Sequence, residues 1–460
     1  MTRRLGDTPR GGPVQSFFLP RGTARRPAIA RAEGIYLWDE TGRRYLDGSS
    51  GPVVSNLGHG NRRVLEAMQA QAARATFAYP GLFESEANVA LADLVCELAG
   101  PGLDRAFFVS GGSEATEAAI KLARQHAVAI GQPERVTVIA REPSYHGGTL
   151  GALAVTGDAG AHEMFGPLMR AMPRVPAPLA YRVPAGHTAE SHATACAEAL
   201  EAEFARQGPH TVLAVIMEPV GGLSSGAAVA PAAYYEAVRQ ICDRHGALLI
   251  YDEVMSGAGR TGRFLAADHW PRARPDLVTL AKGLAAGYTP FGAVLAPDRV
   301  VDAVASAGGF NHGHTYFTNP LSCAVAHAVV RETVDRDLIG NAARMGARLC
   351  ERLRAIAASS RIVGDVRGLG LLMAVELVAD QATKRQLPLE LVAPARLCAL
   401  ALDQGLALYA RRTSGGAYGD WVMVAPPLII DAAGVDELAA GLEAAVAAFE
   451  RELGAGGVLS

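Results

Sequence analysis

The chain has 460 residues, 19% of them charged, and a formal net charge of −3. This length predicts two or three domains, and the small negative charge leaves no basic excess that could hold a nucleic acid. Half of the residues are hydrophobic, which is ample for a large core, but no apolar run approaches the roughly 20 residues that span a bilayer.

Only three of the 43 basic residues are lysines, namely Lys121, Lys282 and Lys384. Because arginine has replaced lysine almost everywhere, each remaining lysine is a candidate for chemistry that arginine cannot perform. The six cysteines are scattered without a CxxC pair or a His/Cys ligand spacing, which predicts free thiols and no zinc site. We therefore expect a cytoplasmic protein with no bound metal and no nucleic-acid or membrane partner.

The N-terminal stretch Met1–Arg26 is rich in arginine but has no apolar segment of the kind found in signal peptides. It predicts a flexible arm, with an organelle leader as the less favoured alternative. Gly34–Asp47 predicts a β-hairpin, because two apolar and aromatic runs flank the turn residues ETG.

From about Arg105, short apolar runs alternate with helical stretches. Continuous apolar runs, as opposed to alternating ones, are typical of strands that are covered on both faces. This region therefore predicts an α/β domain with a mostly parallel sheet. The six predicted strands end at Ser110, Ala140, Met217, Tyr251, Ala281 and Ala296.

The pattern changes at about Glu332. Helices are predicted over Asn341–Ala357, Ala393–Gln404 and Val435–Leu453, with strands at LLMAVEL and WVMVAP between them. This part predicts a smaller α+β domain that the N-terminal hairpin completes. The predicted organisation is an N-terminal part of the small domain at 1–75, a large domain at 76–331 and the rest of the small domain at 332–460.

Ligands of open α/β sheets bind beyond the carboxyl ends of the strands, so the residues there are the first candidates for a site. The first strand of the large domain is followed by Ser110–Glu114 (SGGSE), which leads into a helix. Glycines allow close approach of the backbone, and the free N–H groups of a helix start attract a phosphate. The alternative is an ordinary N-cap at Ser113, with Glu114 and Glu117 in the first turn.

Asp252 and Glu253 follow the fourth strand. A carboxylate beside a largely dry sheet needs a cationic partner, since an unpaired buried charge is costly. The protonated ring nitrogen of pyridoxal phosphate would serve, because an acid at that position keeps the ring an electron sink. The alternative is a salt bridge to Arg260 or Arg263.

Lys282 follows the fifth strand and precedes Gly283. A lysine desolvated by an apolar strand has a lowered pKa and can act as a nucleophile toward an aldehyde. Lys121 is predicted to be solvated or salt-bridged on its helix, and Lys384 to lie in an exposed loop. A phosphate loop, an acid and a lysine in this order predict a pyridoxal-phosphate site with Lys282 as the Schiff-base lysine.

The chain resembles the class III aminotransferases, a branch of the fold type I pyridoxal-phosphate enzymes, from about Gly34 to the C-terminal helix. This resemblance implies their fold, a large domain with a mostly parallel sheet covered by helices plus a smaller α+β domain. The segments that carry it are FVSGGSEATEAAIKLAR, PSYHGGTLGALAVTG, IMEPVGG, LLIYDEVMSGAGRTGRF, PDLVTLAKGLAAGYTPFGAV and HGHTYFTNPLSCAVA.

The resemblance also implies a set of cofactor contacts. Without it, Tyr145 and Val254 would be taken for core residues, and His146 in this place is more often structural than an acid–base group. The implied contacts are Gly112 and Ser113 to the phosphate, Tyr145 and Val254 on the two ring faces, Asp252 on the ring nitrogen, Lys282 as the Schiff-base lysine, and His146 beside Tyr145.

Thr315, in the segment HGHTYF, would reach the phosphate of the neighbouring subunit, so the resemblance implies a homodimer with a shared active site. On the residues alone, Thr315 would be an ordinary loop cap. For the substrate, Glu218 matches a glutamate that can pair with a mobile, carboxylate-binding arginine, either Arg411 or Arg412. We slightly favour Arg411, and solvated surface arginines are the alternative.

Two departures from the family pattern concern specificity. Met255 stands where many relatives have glutamine, which puts a hydrogen bond near the phenolic oxygen of the cofactor in doubt. The segment GSSGPVVSNLGHG has no tryptophan where relatives of the biotin pathway carry aromatic residues, so the diaminopelargonate-forming specificity is disfavoured.

The expected activity is a transamination from an amine or ω-amino acid to an oxo acid, pyruvate or 2-oxoglutarate. The nearest alternative is a class III aminomutase, racemase or decarboxylase that uses the same cofactor site. An alternative of another kind is a non-catalytic protein that binds pyridoxal phosphate, for which Lys282 would be dispensable.

Overall fold

The computed structural model describes residues 26–459. The predicted arm Met1–Arg26 therefore lies outside the described residues, except for Arg26 itself. Within residues 26–459 the strands are β1 Ile29–Glu33, β2 Tyr36–Asp39, β3 Arg44–Asp47, β4 Arg105–Val109, β5 Thr137–Glu142, β6 Arg174–Pro176, β7 Val212–Met217, β8 Leu248–Asp252, β9 Leu277–Ala281, β10 Gly292–Ala296, β11 Val363–Leu369, β12 Leu372–Leu377, β13 Leu406–Ala407 and β14 Asp420–Val424.

The helices of the same part of the chain begin with a short turn, α1, in which Gly51 and Pro52 are not helical. Their bounds are α1 Ser50–Val53, α2 Arg62–Arg74, α3 Glu86–Ala99, α4 Gly112–Ala129, α5 Leu150–Ala154, α6 Ala159–Phe165, α7 Ala189–Gln207, α8 Ala232–His245, α9 Asp298–Ser306, α10 Pro320–Asp335, α11 Leu338–Ser359, α12 Ala393–Asp403 and α13 Ala432–Ala455. Helices α4 and α8 pack on strands of the largest sheet.

The largest sheet has the strand order β4-β10-β9-β8-β7-β5-β6. Strand β10 is antiparallel to both of its neighbours, and the other neighbouring pairs run parallel. The predicted α/β domain with a mostly parallel sheet is confirmed. Strand β6 was not predicted, because its three residues RVP are too short to give an apolar run.

Both faces of this sheet are covered. Strands β7, β8, β9 and β10 are buried along their whole length. Ile250 of β8 belongs to the same core cluster as Leu122 of α4 on one face, whereas its neighbour Leu249 belongs to the cluster that contains Val238 of α8 on the other. Successive side chains of a strand point to opposite faces, so two covered faces require the continuous apolar runs seen in the sequence.

Two smaller sheets have the orders β1-β2-β3-β13 and β11-β12-β14. The predicted hairpin is confirmed as β2 and β3, and β13 pairs with β3 in parallel, which joins the hairpin to the C-terminal part of the chain. The three helices predicted there are also confirmed, as α11, α12 and α13. The boundaries at residues 75 and 331 stay predictions.

None of the helices in residues 26–459 combines the length and the apolar character that crossing a membrane requires. All six cysteines lie in this range, and all are free thiols. Burial raises the pKa of several of them, for example that of Cys242 to about 12, so these thiols have little nucleophilic character.

Candidate active site

A cavity of about 540 Å³ lies beyond the carboxyl ends of β7, β8 and β9. In parallel strands these ends meet at one edge of the sheet, which is why residues far apart in sequence come together there. Of the eleven site residues predicted from the sequence, nine line this cavity, namely Gly112, Ser113, Tyr145, His146, Glu218, Asp252, Val254, Lys282 and Arg411. Thr315 and Arg412 are not among the lining residues.

The glycine loop forms the N-terminal end of α4. Helix α4 begins at Gly112, and its N-cap residue Gly111 offers no side chain to cap it. Ser113 does not cap the helix either, since its Oγ accepts a hydrogen bond from the N–H of Gly148 at 2.9 Å. The alternative of an ordinary serine N-cap is therefore wrong, and the start of α4 faces the cavity with backbone N–H groups that suit a phosphate.

Gly112 also has a steric reason to be glycine. A Cβ at this position would lie 2.9 Å from Cγ1 of Val254. Only glycine lets the loop approach the segment after β8 this closely. The close approach brings the start of α4 and Val254 to the same cavity.

Asp252 ends β8 and is buried, with 5% of its surface exposed. Its Oδ2 lies 2.7 Å from Nδ1 of His146, and its Oδ1 accepts the backbone N–H of Val254 at 3.0 Å. A carboxylate accepts about four hydrogen bonds, so Asp252 can accept another donor from the cavity. Nε2 of His146 is buried and has no hydrogen-bond partner within residues 26–459.

The alternative of a salt bridge from Asp252 to Arg260 or Arg263 is not observed within residues 26–459. The guanidinium of Arg260 is fully buried and donates instead to the side chain of Asn56 and to backbone carbonyls, including that of Leu371. Glu253, next to Asp252, points away from the cavity and accepts the N–H groups of Ala266 and Ala267, while burial raises the pKa of its carboxyl to about 8. Of these two neighbouring acids, Asp252 lines the cavity, whereas Glu253 fixes a loop.

Lys282 follows β9 and adopts a left-handed backbone conformation with φ of 44°. Burial lowers the pKa of its ammonium from the ordinary 10.5 to about 8, although Asp252 and Glu218 act in the opposite direction. An amine with such a pKa is partly neutral near pH 8 and can attack an aldehyde.

The other two lysines lie elsewhere. Lys121 is exposed and its Nζ lies 3.1 Å from Nδ1 of His312, close to the solvated position that was expected. Lys384 was expected in an exposed loop, but it is partly buried and donates to the backbone carbonyl of Tyr181 at 2.8 Å. The polar sequence around Lys384 gave no sign of this contact. Neither lysine lines the cavity.

The lowered pKa of Lys282 predicts a pH dependence for uptake of an aldehyde by the empty protein. The neutral amine is the reactive form, so the rate of covalent attachment should rise with pH with a midpoint at about 8. Stopped-flow absorbance after mixing the apoprotein with pyridoxal phosphate measures this rate. A midpoint near the ordinary value of 10.5 would contradict the burial argument.

Glu218 is buried at the end of β7 and is fully engaged with neighbouring polar groups. Its carboxylate accepts the N–H of Gly222 at 2.9 Å and the hydroxyl of Ser224 at 3.2 Å, and it also accepts the N–H of Tyr145 at 3.3 Å. Burial raises the pKa of this carboxyl. Neither Arg411 nor Arg412 is an ion-pair partner of Glu218 in the described part of the chain.

The two neighbouring arginines have different surroundings. Arg412 forms a bidentate salt bridge with Asp420, with distances of 2.9 and 2.7 Å, and also donates to the carbonyl of Leu389. The structure therefore does not bring Arg412 into the site, and its role is to hold the connection between α12 and β14. Arg411 lines the cavity, half exposed, with its guanidinium 5.6 Å from the ring centre of Tyr145.

Comparisons with known proteins identify the family. The family model for class III aminotransferases matches residues 20–446. The chain belongs to the class III aminotransferases. This aminotransferase is 37% identical over 444 residues to the uncharacterised aminotransferase YodT of Bacillus subtilis, a match that covers 96% of this chain and 99% of the relative.

Two further relatives are informative. The aminotransferase is 34% identical to the diaminobutyrate–2-oxoglutarate transaminase of Halomonas elongata, over 92% of this chain and 91% of the relative. It also superposes with a TM-score of 0.88 on an amine transaminase from an uncultivated Pseudomonas species, solved with pyridoxal phosphate bound. The two sequences are 35% identical, and the match covers 95% of this chain and 99% of that one. The fold is therefore fold type I.

As a class III aminotransferase, the enzyme uses pyridoxal phosphate and transfers an amino group to an oxo acid. The cavity fits this cofactor in its chemistry. The start of α4 suits a phosphate, Asp252 is a buried acid of the kind that a protonated ring nitrogen needs, and Lys282 offers an amine with a lowered pKa. The unpartnered Nε2 of His146 is a further polar atom buried beside this set.

Sequence reasoning missed one charged residue of the cavity. Asp158 lines it and precedes α6, and Arg411 is its ion-pair partner. The only local signal was an aspartate before a short helical stretch, which is typical of an ordinary N-cap. Met255, noted as a departure from the family, also lines the cavity of the aminotransferase.

Proposed function

We propose that the enzyme moves the amino group of an amine or ω-amino acid to pyruvate or 2-oxoglutarate, with Lys282 as the lysine that carries the cofactor. The proposal rests on one observation, that Lys282, Asp252 and Gly112 line the same cavity at the ends of β9, β8 and β4. The relative named for diaminobutyrate and 2-oxoglutarate supports both the donor class and an oxo-acid acceptor.

When bound, pyridoxal phosphate supplies an electron sink for the carbon that bears the amino group. Asp252, as a buried anion, would hold a proton on the ring nitrogen, and His146 would orient the Asp252 carboxylate through their 2.7 Å contact. Nζ of Lys282 would take the proton from the donor carbon and pass it to the cofactor, because burial lowers the pKa of this amine to about 8 and leaves part of it neutral. Tyr145 and Val254 would cover the ring faces.

For the oxo acid, we propose Arg411 as the carboxylate-binding residue. Its guanidinium lines the cavity and is half exposed, so it can turn toward a ligand. The planar guanidinium suits bidentate binding of a carboxylate. Arg412 is already engaged in this way by Asp420 and is not available for a substrate.

The test is a panel of amines and ω-amino acids, each supplied with pyruvate or 2-oxoglutarate, with the absorbance of the cofactor followed over time. Transamination requires both partners, so each donor alone should convert one equivalent of cofactor and then stop. Sustained turnover of a donor without any oxo acid would contradict the proposal and favour an aminomutase, racemase or decarboxylase.

We also propose a homodimer in which Thr315 completes the neighbouring active site. Thr315 is exposed and does not line the cavity of its own chain. Exposed apolar side chains occur near it, including Tyr316, which is 65% exposed and makes an edge contact with Phe77 at 6.4 Å. An apolar patch of this kind is typical of an interaction surface.

This proposal predicts complementation between two defective variants. In T315A, loss of one charge-assisted hydrogen bond to the phosphate should weaken cofactor binding about 10-fold. Mixed dimers of T315A with K282A would contain one intact site, with the lysine of one chain and the threonine of the other. Cofactor titration of the mixture should therefore show a class of sites with wild-type affinity, whereas uniformly weak sites would contradict a shared active site.

We propose the cytoplasm as the location of the enzyme. Its six free cysteines suit a reducing compartment. Fractionation of the source cells, followed by detection of the chain with an antibody, tests this location.

A further inference from the structure

Asp158 is a buried carboxylate of the active-site cavity that the expected chemistry does not use. Only 9% of its side chain is exposed, and it lies where α6 begins. Its Oδ2 lies 3.8 Å from Nη2 of Arg411, which is the one ion pair that Arg411 makes within residues 26–459. The resting counterion of the proposed substrate-binding arginine is thus an aspartate on a different segment from Glu218.

The position of Asp158 is fixed by the segment that carries Arg411. Oδ1 of Asp158 accepts the N–H of Ser414 at 3.0 Å, and Oγ of Ser414 accepts the N–H of Ala159 at 3.1 Å. These two hydrogen bonds tie the start of α6 to the chain three residues beyond Arg411. The first of them is the one that holds the Asp158 carboxylate, with Oδ1 on the N–H of Ser414 and Oδ2 facing the arginine.

Glu218 cannot take this role without losing contacts that it already has. Its carboxylate accepts hydrogen bonds from two backbone N–H groups and from the hydroxyl of Ser224. A buried carboxylate that is satisfied in this way gains little from turning toward an exposed arginine. Asp158, by contrast, has its Oδ2 3.8 Å from Nη2 of Arg411, which leaves room for a closer contact between the two groups.

We propose that Asp158 is a positioning residue that sets the preference of the enzyme between substrates with and without a carboxylate, by competing with the substrate for Arg411. This inference rests on the proposed function of Arg411. When a substrate carboxylate enters, Arg411 leaves Asp158 to bind it. When the substrate has no carboxylate, Asp158 neutralises the arginine, and an uncharged group can occupy the cavity without an unpaired charge beside it.

The substrate pair that isolates this effect is L-alanine and 2-aminopropane, which differ by the replacement of the carboxylate with a methyl group. The D158N variant removes the charge but keeps an Oδ1 that can accept the N–H of Ser414. Because Arg411 then has no competitor, the ratio of kcat/KM for alanine to that for 2-aminopropane should rise about 2- to 5-fold, the range expected for a partly exposed ion pair. The change should lie in KM, since neither residue touches the reacting atoms.

Two variants serve as controls. S414A removes the hydroxyl that accepts from Ala159 but keeps both charges and the N–H that Asp158 accepts, so its ratio should equal that of the wild type. In the R411A background, D158N should have no effect on the ratio, because the proposed action of Asp158 passes through Arg411. A ratio that is unchanged in D158N, or a D158N effect that persists in R411A, would overturn the proposal.

A binding measurement tests this proposal without relying on the transamination activity. Propionate carries the carboxylate without an amino group, and its Kd for the cofactor-loaded enzyme can be measured by calorimetry. This Kd should fall by the same 2- to 5-fold in D158N. If the wild type transaminates none of the donors in the panel, the proposed function fails, but the propionate Kd still decides whether Asp158 competes for Arg411. An equal Kd for propionate in the wild type and in D158N would overturn this inference and leave the proposed function untouched.

Discussion

Replacement of Lys282 with alanine is expected to reduce transamination at least about 1000-fold. The variant loses both the amine that attaches the cofactor and the base that moves the proton. Each of these functions contributes a large factor to the rate of transamination. The visible absorbance of the lysine-bound cofactor should disappear as well. Difference spectra before and after addition of pyridoxal phosphate, together with steady-state rates, measure both losses.

The scarcity of lysine provides matched controls for this prediction. K121R and K384R change the other two lysines, which do not line the cavity, and both should keep the activity and the absorbance of the wild type. K282R keeps the positive charge but cannot form a Schiff base, so it should be as inactive as the alanine variant. Full activity in K282A, or loss of the absorbance in K121R, would show that the cofactor lysine has been misassigned.

The main parts of the fold and of the site were predictable because they depend on local sequence patterns. Each pattern marks the end of a strand, and the sheet brings the residues at these ends together. Lys282 and Asp252 each follow a continuous apolar run, and Gly112 lies between such a run and a helix. The rule that ligands lie beyond the strand ends was enough to group them, although Gly112 and Lys282 are far apart in sequence. The class III resemblance then gave each residue a role.

Other features of the site depend on long-range contacts that leave no local pattern. Arg411 and Arg412 are neighbours, yet one lines the cavity and the other binds Asp420, because a chain that extends between α12 and β14 directs successive side chains differently. Asp158 meets Arg411 only through the tertiary contact between α6 and the segment at Ser414. Nothing in the sequence around either residue specifies that contact.

Replacement of Asp252 with asparagine is the second change for which we expect a large effect, a fall in kcat of about 100- to 1000-fold. Asparagine has nearly the same shape, so its carbonyl can still accept the N–H of Val254. The buried negative charge is lost, however, and with it the means of holding a proton on the ring nitrogen. Cofactor attachment through Lys282 should persist, so the variant is expected to be loaded but slow.

Replacement of His146 separates the effect of the charge of Asp252 from the effect of the position of its carboxylate. In H146A the carboxylate keeps its charge but loses the donor 2.7 Å from its Oδ2, so kcat should fall only about 10-fold, as expected for one hydrogen bond to a charged group. The double variant D252N/H146A should be no slower than D252N, because His146 acts only through the carboxylate. Rapid-scan spectra of the half-reaction with a fixed donor measure all three rates. If H146A were as slow as D252N, the histidine would have a role of its own at the cofactor, and its buried, unpartnered Nε2 would be the atom to examine.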